Sequence, residues 1–187
     1  MRKTCYISLA LPILFCCCEK KESASDSERE GARNMTVKVT SPAFEEGGMI
    51  PSKYTADGAN ISPPLRWEAV PEGTQSIALI NDDPDAPMGT WVHWIMWNIP
   101  PDKTELPENI PPDQKLADGS SQGITDFRRP GYGGPAPPSG THRYFFKVYA
   151  LDTKLDLPTS STKTQLVKSM EDHILAEGQL MGKYKRQ

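Results

Sequence analysis

Proline limits how this chain can fold more than any other feature. Its 18 prolines recur between short apolar runs, Ile77 to Ile80, Trp91 to Ile99 and Tyr144 to Leu151, each bounded by Pro, Gly, Asp or Asn. Each proline fixes its own φ and removes a backbone donor. Short runs at this spacing argue for a mostly β sandwich with long, ordered loops. With 187 residues, the chain accommodates one domain with a sizeable core.

One helix is expected late, from about Lys163 to Met181. Thr162 and Gln165 fit a capping box, and Leu166, Met170 and Ile174, with Val167 and Leu175, form a stripe at helical spacing. Such a helix would cover an edge or end of the sheet. His173 would lie toward its end, where a cation interacts favourably with the helix dipole.

The amino terminus reads as an export signal. Arg2 and Lys3 precede the apolar stretch Ile7 to Phe15, which is too brief to span a bilayer. All four cysteines, Cys5, Cys16, Cys17 and Cys18, lie in or beside it, so the folded domain can form neither an internal disulfide nor a thiolate metal site. The cluster resembles a bacterial lipoprotein box, with Cys17 the first choice for lipidation and Cys18 the second. Phe15 is bulkier than the small residue preferred there. Residues 1–17 are therefore expected to be a signal peptide of lipoprotein type, and 18–34 a flexible, charged tether. The domain begins at Met35, where Met35 to Thr40 alternates as a half-buried strand does. The exported protein would be membrane-anchored in the cell envelope, or else periplasmic or secreted. Loss of residues 1–16 changes the formal charge from −3 to −5, with 19 Lys plus Arg against 24 Asp plus Glu. With no basic face, nucleic acid is not an expected partner.

Two segments concentrate chemistry. In the first, Asp82, Asp83 and Asp85 sit on a loop stiffened by Pro84 and Pro87, which leads into the strand Trp91 to Ile99. Strict alternation would place Trp91, His93, Ile95 and Trp97 on one face and Val92, Trp94 and Met96 on the other, both apolar, as in a central strand. A lone histidine there is more often a core residue than a functional one. The second segment, Gly131 to Tyr144, is a Gly/Pro-rich loop that enters a strand with His142, Tyr144 and Phe146 on one face. Its glycine N–H groups could form an anion-binding nest. Such a loop by itself usually does no more than turn the chain; paired with the aspartate loop, it suggests a polar pocket.

Three motifs in order, Asp57 to Leu65, Asp83-Pro84-Asp85-Ala86-Pro87 with His93, and Gly131 to Pro135 with His142-Arg143-Tyr144, closely resemble the phosphatidylethanolamine-binding protein family. The resemblance is to its bacterial Raf-kinase-inhibitor-like branch and covers essentially all of Met35 to Lys185. The lipoprotein-like leader departs from most bacterial relatives. The resemblance implies an antiparallel β sandwich with a C-terminal helix and a small pocket that accepts phosphate-bearing head groups. Carried over to this sequence, Asp83, Asp85, Pro87, Trp91, His93, Gly131, Gly133, His142 and Tyr144 should line it.

Two imidazoles stabilised by carboxylates, with glycine N–H groups, could hold a phosphate, and Trp91 and Tyr144 could flank an ethanolamine-like cation. The leading expectation is non-catalytic binding of a small phosphorylated or anionic ligand, with no cofactor. The alternative is an inhibitor of a partner protein, an envelope hydrolase or a kinase. A lesser alternative is a hydrolytic or metal-dependent enzyme that uses Asp83, Asp85, His93 and His142. No nucleophile elbow and no helical His/Glu metal pair supports the last.

Overall fold

The computed structural model describes Met1 and residues 35–186; the rest of the expected signal peptide, Cys17, Cys18 and the expected tether lie outside the described residues. Among the described residues, nine strands and one α-helix are formed: β1 (Met35–Thr36), β2 (Lys38–Thr40), β3 (Leu65–Glu68), β4 (Ser76–Asp83), β5 (Trp91–Ile99), β6 (Glu105–Leu106), β7 (Ser121–Gln122), β8 (His142–Leu151), α1 (Lys163–Met170) and β9 (Ile174–Tyr184). They build a six-stranded sheet ordered β1-β9-β8-β4-β5-β7 and a three-stranded sheet ordered β2-β3-β6. Pairing is antiparallel throughout, except where β1 joins β9 in parallel.

Every residue of β4 is buried, so the strand carries apolar side chains on both faces. Ile77 and Leu79 enter the core between the two sheets with Trp67, Trp94, Phe146 and Leu180. Ala78 and Ile80 face the other way, into a second core capped by Leu166 and Met170 of α1. Each fully buried large side chain here contributes roughly 1.5–3 kcal/mol.

Strict alternation fails on β5. Asn81 pairs with Trp94 and the next residue, Asp82, with Val92, so His93 is the extra residue of a β-bulge. Val92 consequently packs with Ile95 and Trp97 in the helix-side core, while Trp94 and Met96 join the inter-sheet core. His93 stands beside Tyr144, on the inter-sheet side. The expected grouping of His93 with Ile95 and Trp97 is thus corrected by one inserted residue.

The late helix is also shorter than its apolar stripe suggests. It is capped as expected, with Gln165 Oε1 accepting the Thr162 N–H at 2.9 Å, but it ends at Met170. Glu171 is extended, with φ −51° and ψ 135°, and Asp172 is left-handed at φ +65°. Beyond them the chain becomes β9, which pairs with β8 from Leu151↔Ile174 to His142↔Tyr184. Ladder bonds along this length, with Ala176, Leu180, Gly182 and Tyr184 buried at period two, outweigh the accidental helical spacing of Ile174 and Leu175. His173 therefore lies beyond the helix, and its Nδ1 pairs with Asp152 Oδ1 at 2.8 Å.

A glycine fixes how β9 meets β1. A Cβ at Gly178 would stand 1.7 Å from the Val37 carbonyl oxygen, while Val37 N–H donates to Glu177 O at 3.0 Å. Gly178→Ala should cost about 2–3 kcal/mol, near the upper end for overpacking, and lower Tm by roughly 5–10 °C. Thermal denaturation checks this; an unchanged Tm would show that the β1–β9 contact yields freely.

Candidate functional site

A pocket of about 220 Å³ opens at the end of the large sheet's inner face, where β4, β5 and β8 run out into loops. Asp83, His93, His142 and Tyr144 supply its polar groups, and Pro87 and Trp91 form part of its wall. Further apolar wall comes from Ala86, Phe127, Ala136, Pro137 and Pro138. The pocket therefore joins the two segments singled out in the sequence.

The polar floor follows from strand register. Asp82 and Asp83 point to opposite faces of β4. Asp82 turns to the helix side, where its carboxylate meets Lys163 and lies 3.0 Å from Lys147 Nζ. Asp83 turns inward, and its Oδ2 accepts from His142 Nδ1 at 2.7 Å. A carboxylate oxygen only accepts here, so Nδ1 holds the proton and Nε2 is the nitrogen left for other partners. The second Asp83 oxygen accepts the Asp85 N–H at 2.8 Å.

His93 is held differently. The Gly133 carbonyl accepts from its Nδ1 at 2.6 Å, and Gly133 N–H returns to the His93 carbonyl at 3.0 Å. Burial is the main cause that lowers its pKa below the ordinary histidine value, against the opposing pull of the Gly133 carbonyl and Asp83. The ring is a neutral Nδ1–H tautomer near pH 7. The expectation of two carboxylate-stabilised imidazoliums is corrected accordingly: only His142 is paired to a carboxylate at hydrogen-bond distance. The His93 ring lies edge-on to Tyr144 and Phe127, with centroids 5.2 and 5.3 Å away.

Three of the expected pocket residues do not line it. Asp85 turns to Arg143: its Oδ1 accepts from Nη2 at 2.7 Å, and its Oδ2 accepts both Nε and the Arg143 backbone N–H at 2.9 Å. The Arg143 side chain is the first cause that holds the Asp85 carboxyl down at about 2. Asp85 thus ties the aspartate loop to the start of β8 and brings Asp83 to His142. Gly131, at φ +81°, is needed for its left-handed backbone, and a Cβ there would meet Pro112 at 2.6 Å. Gly133 lets the Phe127 ring approach, since a Cβ would stand 2.3 Å from it. The glycine nest is corrected as well. The Gly133 N–H is taken by His93, and the Gly134 N–H by Asn60 Oδ1 at 2.7 Å.

Of the wall residues that sequence reasoning missed, Ala86, Phe127, Ala136, Pro137 and Pro138, Phe127 is the largest. It packs edge-on against Trp91 with centroids 5.6 Å apart, and its place as a lone aromatic in a charged stretch, Asp126-Phe127-Arg128-Arg129, is the signal that could have marked it. Asn60, at φ +55°, explains why the Asp57 to Leu65 motif accompanies the other two: it anchors the glycine loop. Among the described residues, no group of three or more His, Cys, Asp or Glu is arranged to hold a metal ion.

The pocket holds one unmet demand. The Tyr144 hydroxyl is fully enclosed and makes no well-formed hydrogen bond among the described residues, although the Asp83 carboxylate stands close enough to act on it. Burial first, then the Asp83 carboxylate, pushes its pKa well above the usual tyrosine range. It remains a donor at any physiological pH.

The family described as phosphatidylethanolamine-binding protein matches residues 40–185. A UPF0098 protein of Methanothermobacter thermautotrophicus is 56% identical over 144 residues, 77% of this chain and 95% of the relative. A crystal structure of a phosphatidylethanolamine-binding protein homologue from Chlamydia trachomatis matches with TM-score 0.75 and 39% identity, over 81% of this chain and 99% of its own. The crystal structure of E. coli YbcL, described as a member of the mammalian family, matches with TM-score 0.75 and 34% identity, over 82% and 100%.

The tautomer of His93 is open to measurement. Imidazole ¹⁵N shifts should show Nδ1 protonated and a titration midpoint below 6.5. Because the folded value is lowered, the unfolded chain binds a proton first as pH falls below about 6.5, and stability declines from there down through the folded midpoint. A midpoint at or above 6.5 would contradict the assignment.

Proposed function

The chain belongs to the phosphatidylethanolamine-binding protein family, and from that premise we propose that it is a non-catalytic binding protein for a small phosphorylated or otherwise anionic ligand of the kind found in phospholipid head groups. The observation that carries this reading is the single pocket that brings Asp83, His93, His142 and Tyr144 together, with the Tyr144 hydroxyl short of a well-formed hydrogen bond. A buried hydroxyl without a partner costs roughly 1–3 kcal/mol, and an anionic oxygen seated against it removes that cost. His142 lines the same space, its ring oriented by the bond from Nδ1 to Asp83.

Pocket size and walls agree with a small ligand. About 220 Å³ holds a phosphate or head group and leaves no room for acyl chains. Trp91 and Phe127 offer aromatic faces for a cation carried beside the anion. The amino-terminal sequence supports a further part of the proposal, that the domain is exported and anchored to a membrane through lipid on Cys17 or, in its place, Cys18.

Calorimetric titration of the full chain with inorganic phosphate and phosphoethanolamine tests the binding reading. Heat should appear at millimolar ligand or below. Tyr144→Phe should weaken binding about five- to tenfold, the equivalent of one hydrogen bond, without lowering Tm, and His142→Ala should weaken it further. No heat from correctly folded protein at millimolar ligand would overturn the proposal. Independently, Cys17→Ser should abolish metabolic labelling with palmitate; retained labelling that disappears only with Cys18→Ser would move the anchor by one residue.

A further inference from the structure

We propose that this pocket selects oxyanions that bring a hydrogen-bond donor of their own, hydrogen phosphate above all, and discriminates against acceptor-only oxyanions such as sulfate. The inference rests on the binding reading above and adds a specificity to it. It follows from the groups that can only accept. His93 commits its Nδ1 proton to the Gly133 carbonyl at 2.6 Å, so its Nε2 presents a lone pair. Nε2 has no partner among the described residues and is not among the fully enclosed unpartnered atoms, which places it on the accessible pocket that His93 lines. Asp83, the acidic side chain in the same lining, is also an acceptor, with its oxygens already turned to His142 and the Asp85 N–H.

The donors stand beside these acceptors. The Tyr144 hydroxyl makes no well-formed hydrogen bond, and the Tyr144 ring is 5.2 Å from that of His93. His93, His142 and Tyr144 line the same pocket, so an oxyanion seated there meets His93 Nε2. A bare oxygen there faces a lone pair, a contact that is electrostatically unfavourable and leaves the nitrogen unsatisfied. A P–O–H group turned to the same nitrogen completes its bonding. Hydrogen phosphate has that group at neutral pH, whereas sulfate, of similar shape and charge, has none. Burial disfavours the alternative of charging His93 to make it a donor.

The neutral ring is fixed by structure as well as by burial. Turning it over to present Nδ1 would break the bond to Gly133 and the reciprocal pairing that anchors the glycine loop to β5. The donor comes from the phosphate itself or, in a lipid head group, whose phosphodiester has no P–O–H, from the ammonium. The two sources share the requirement and differ in where the proton sits.

Calorimetric titration of the full chain at pH 7 with inorganic phosphate, inorganic sulfate and glycerophosphoethanolamine separates the outcomes. Phosphate should bind at least about tenfold more tightly than sulfate, the effect of one unpaired buried acceptor. His93→Asn, whose amide can keep the bond to Gly133 while Nε2 is deleted, should narrow that ratio to within about threefold, with thermal denaturation confirming that the variant is folded. Equal affinity of wild-type protein for phosphate and sulfate would overturn the inference and leave anion binding intact. Binding of none of the three would overturn the binding reading, and the inference with it. Tighter binding of glycerophosphoethanolamine than of phosphate assigns the donor to a head-group ammonium, and the reverse assigns it to free phosphate; either order supports the requirement, provided sulfate stays weak.

Discussion

The reciprocal pair between His93 and Gly133 is the contact on which the site depends. One bond runs from the imidazole Nδ1 to the Gly133 carbonyl at 2.6 Å, the other from the Gly133 N–H back to the His93 carbonyl at 3.0 Å. Both are possible because His93 is the bulge residue of β5, displaced from the ladder with β4. A regular strand would aim this side chain into the helix-side core with Ile95. The bulge turns it to the inner face and offers its backbone to the loop. One inserted residue thereby positions the ring and secures the loop 131–138, whose Ala136, Pro137 and Pro138 wall the pocket.

The rest of the site is fastened by contacts that never touch its cavity. Asp85 and Arg143 pin the aspartate loop to β8, Asn60 holds the Gly134 N–H, and Asp126 Oδ2 accepts the Val92 N–H at 2.7 Å, beside Phe127. The Asp85–Arg143 pair is half-exposed on the arginine side, so its value lies in geometry more than in stability. With these supports in place, Asp83 and His142 meet from neighbouring strands without further adjustment.

Much of this was legible in the residues. Proline-bounded apolar runs marked β4, β5 and β8, because a short run that is apolar on both faces has few stable homes outside a central strand. The density of Asp, His and aromatic side chains after two stiff loops pointed to Asp83, His93, His142 and Tyr144. Other features were hidden by non-local pairing. Leu166, Met170, Ile174 and Leu175 read as one helical stripe, and only the ladder that β8 offers turns its second half into β9. Asp85 looked like Asp83 in sequence, and a partner 58 positions away decides that one faces arginine and the other histidine. Gly131 and Gly133 signalled a need for small residues. That the need came from Pro112 and Phe127 rather than from a ligand could not be read from spacing.

These supports also explain why the site tolerates an unsatisfied group. An enclosed hydroxyl at Tyr144 is unfavourable by roughly 1–3 kcal/mol, of the same order as what one fully buried large core side chain contributes. Tyr144 belongs to both ledgers, since its ring sits in the inter-sheet core beside Phe146 and Trp94 while its oxygen ends in the pocket. Anchored by that ring and flanked by a β8–β9 ladder that runs without a break from Tyr144↔Gly182 to Ala150↔Ala176, the hydroxyl cannot swing away to find water or a carbonyl. The same rigidity holds the His93 lone pair and the His142–Asp83 pair in fixed directions. A site whose donors and acceptors are immobile before any ligand arrives discriminates by the hydrogen-bonding pattern of that ligand, because neither side can rearrange to conceal a mismatch.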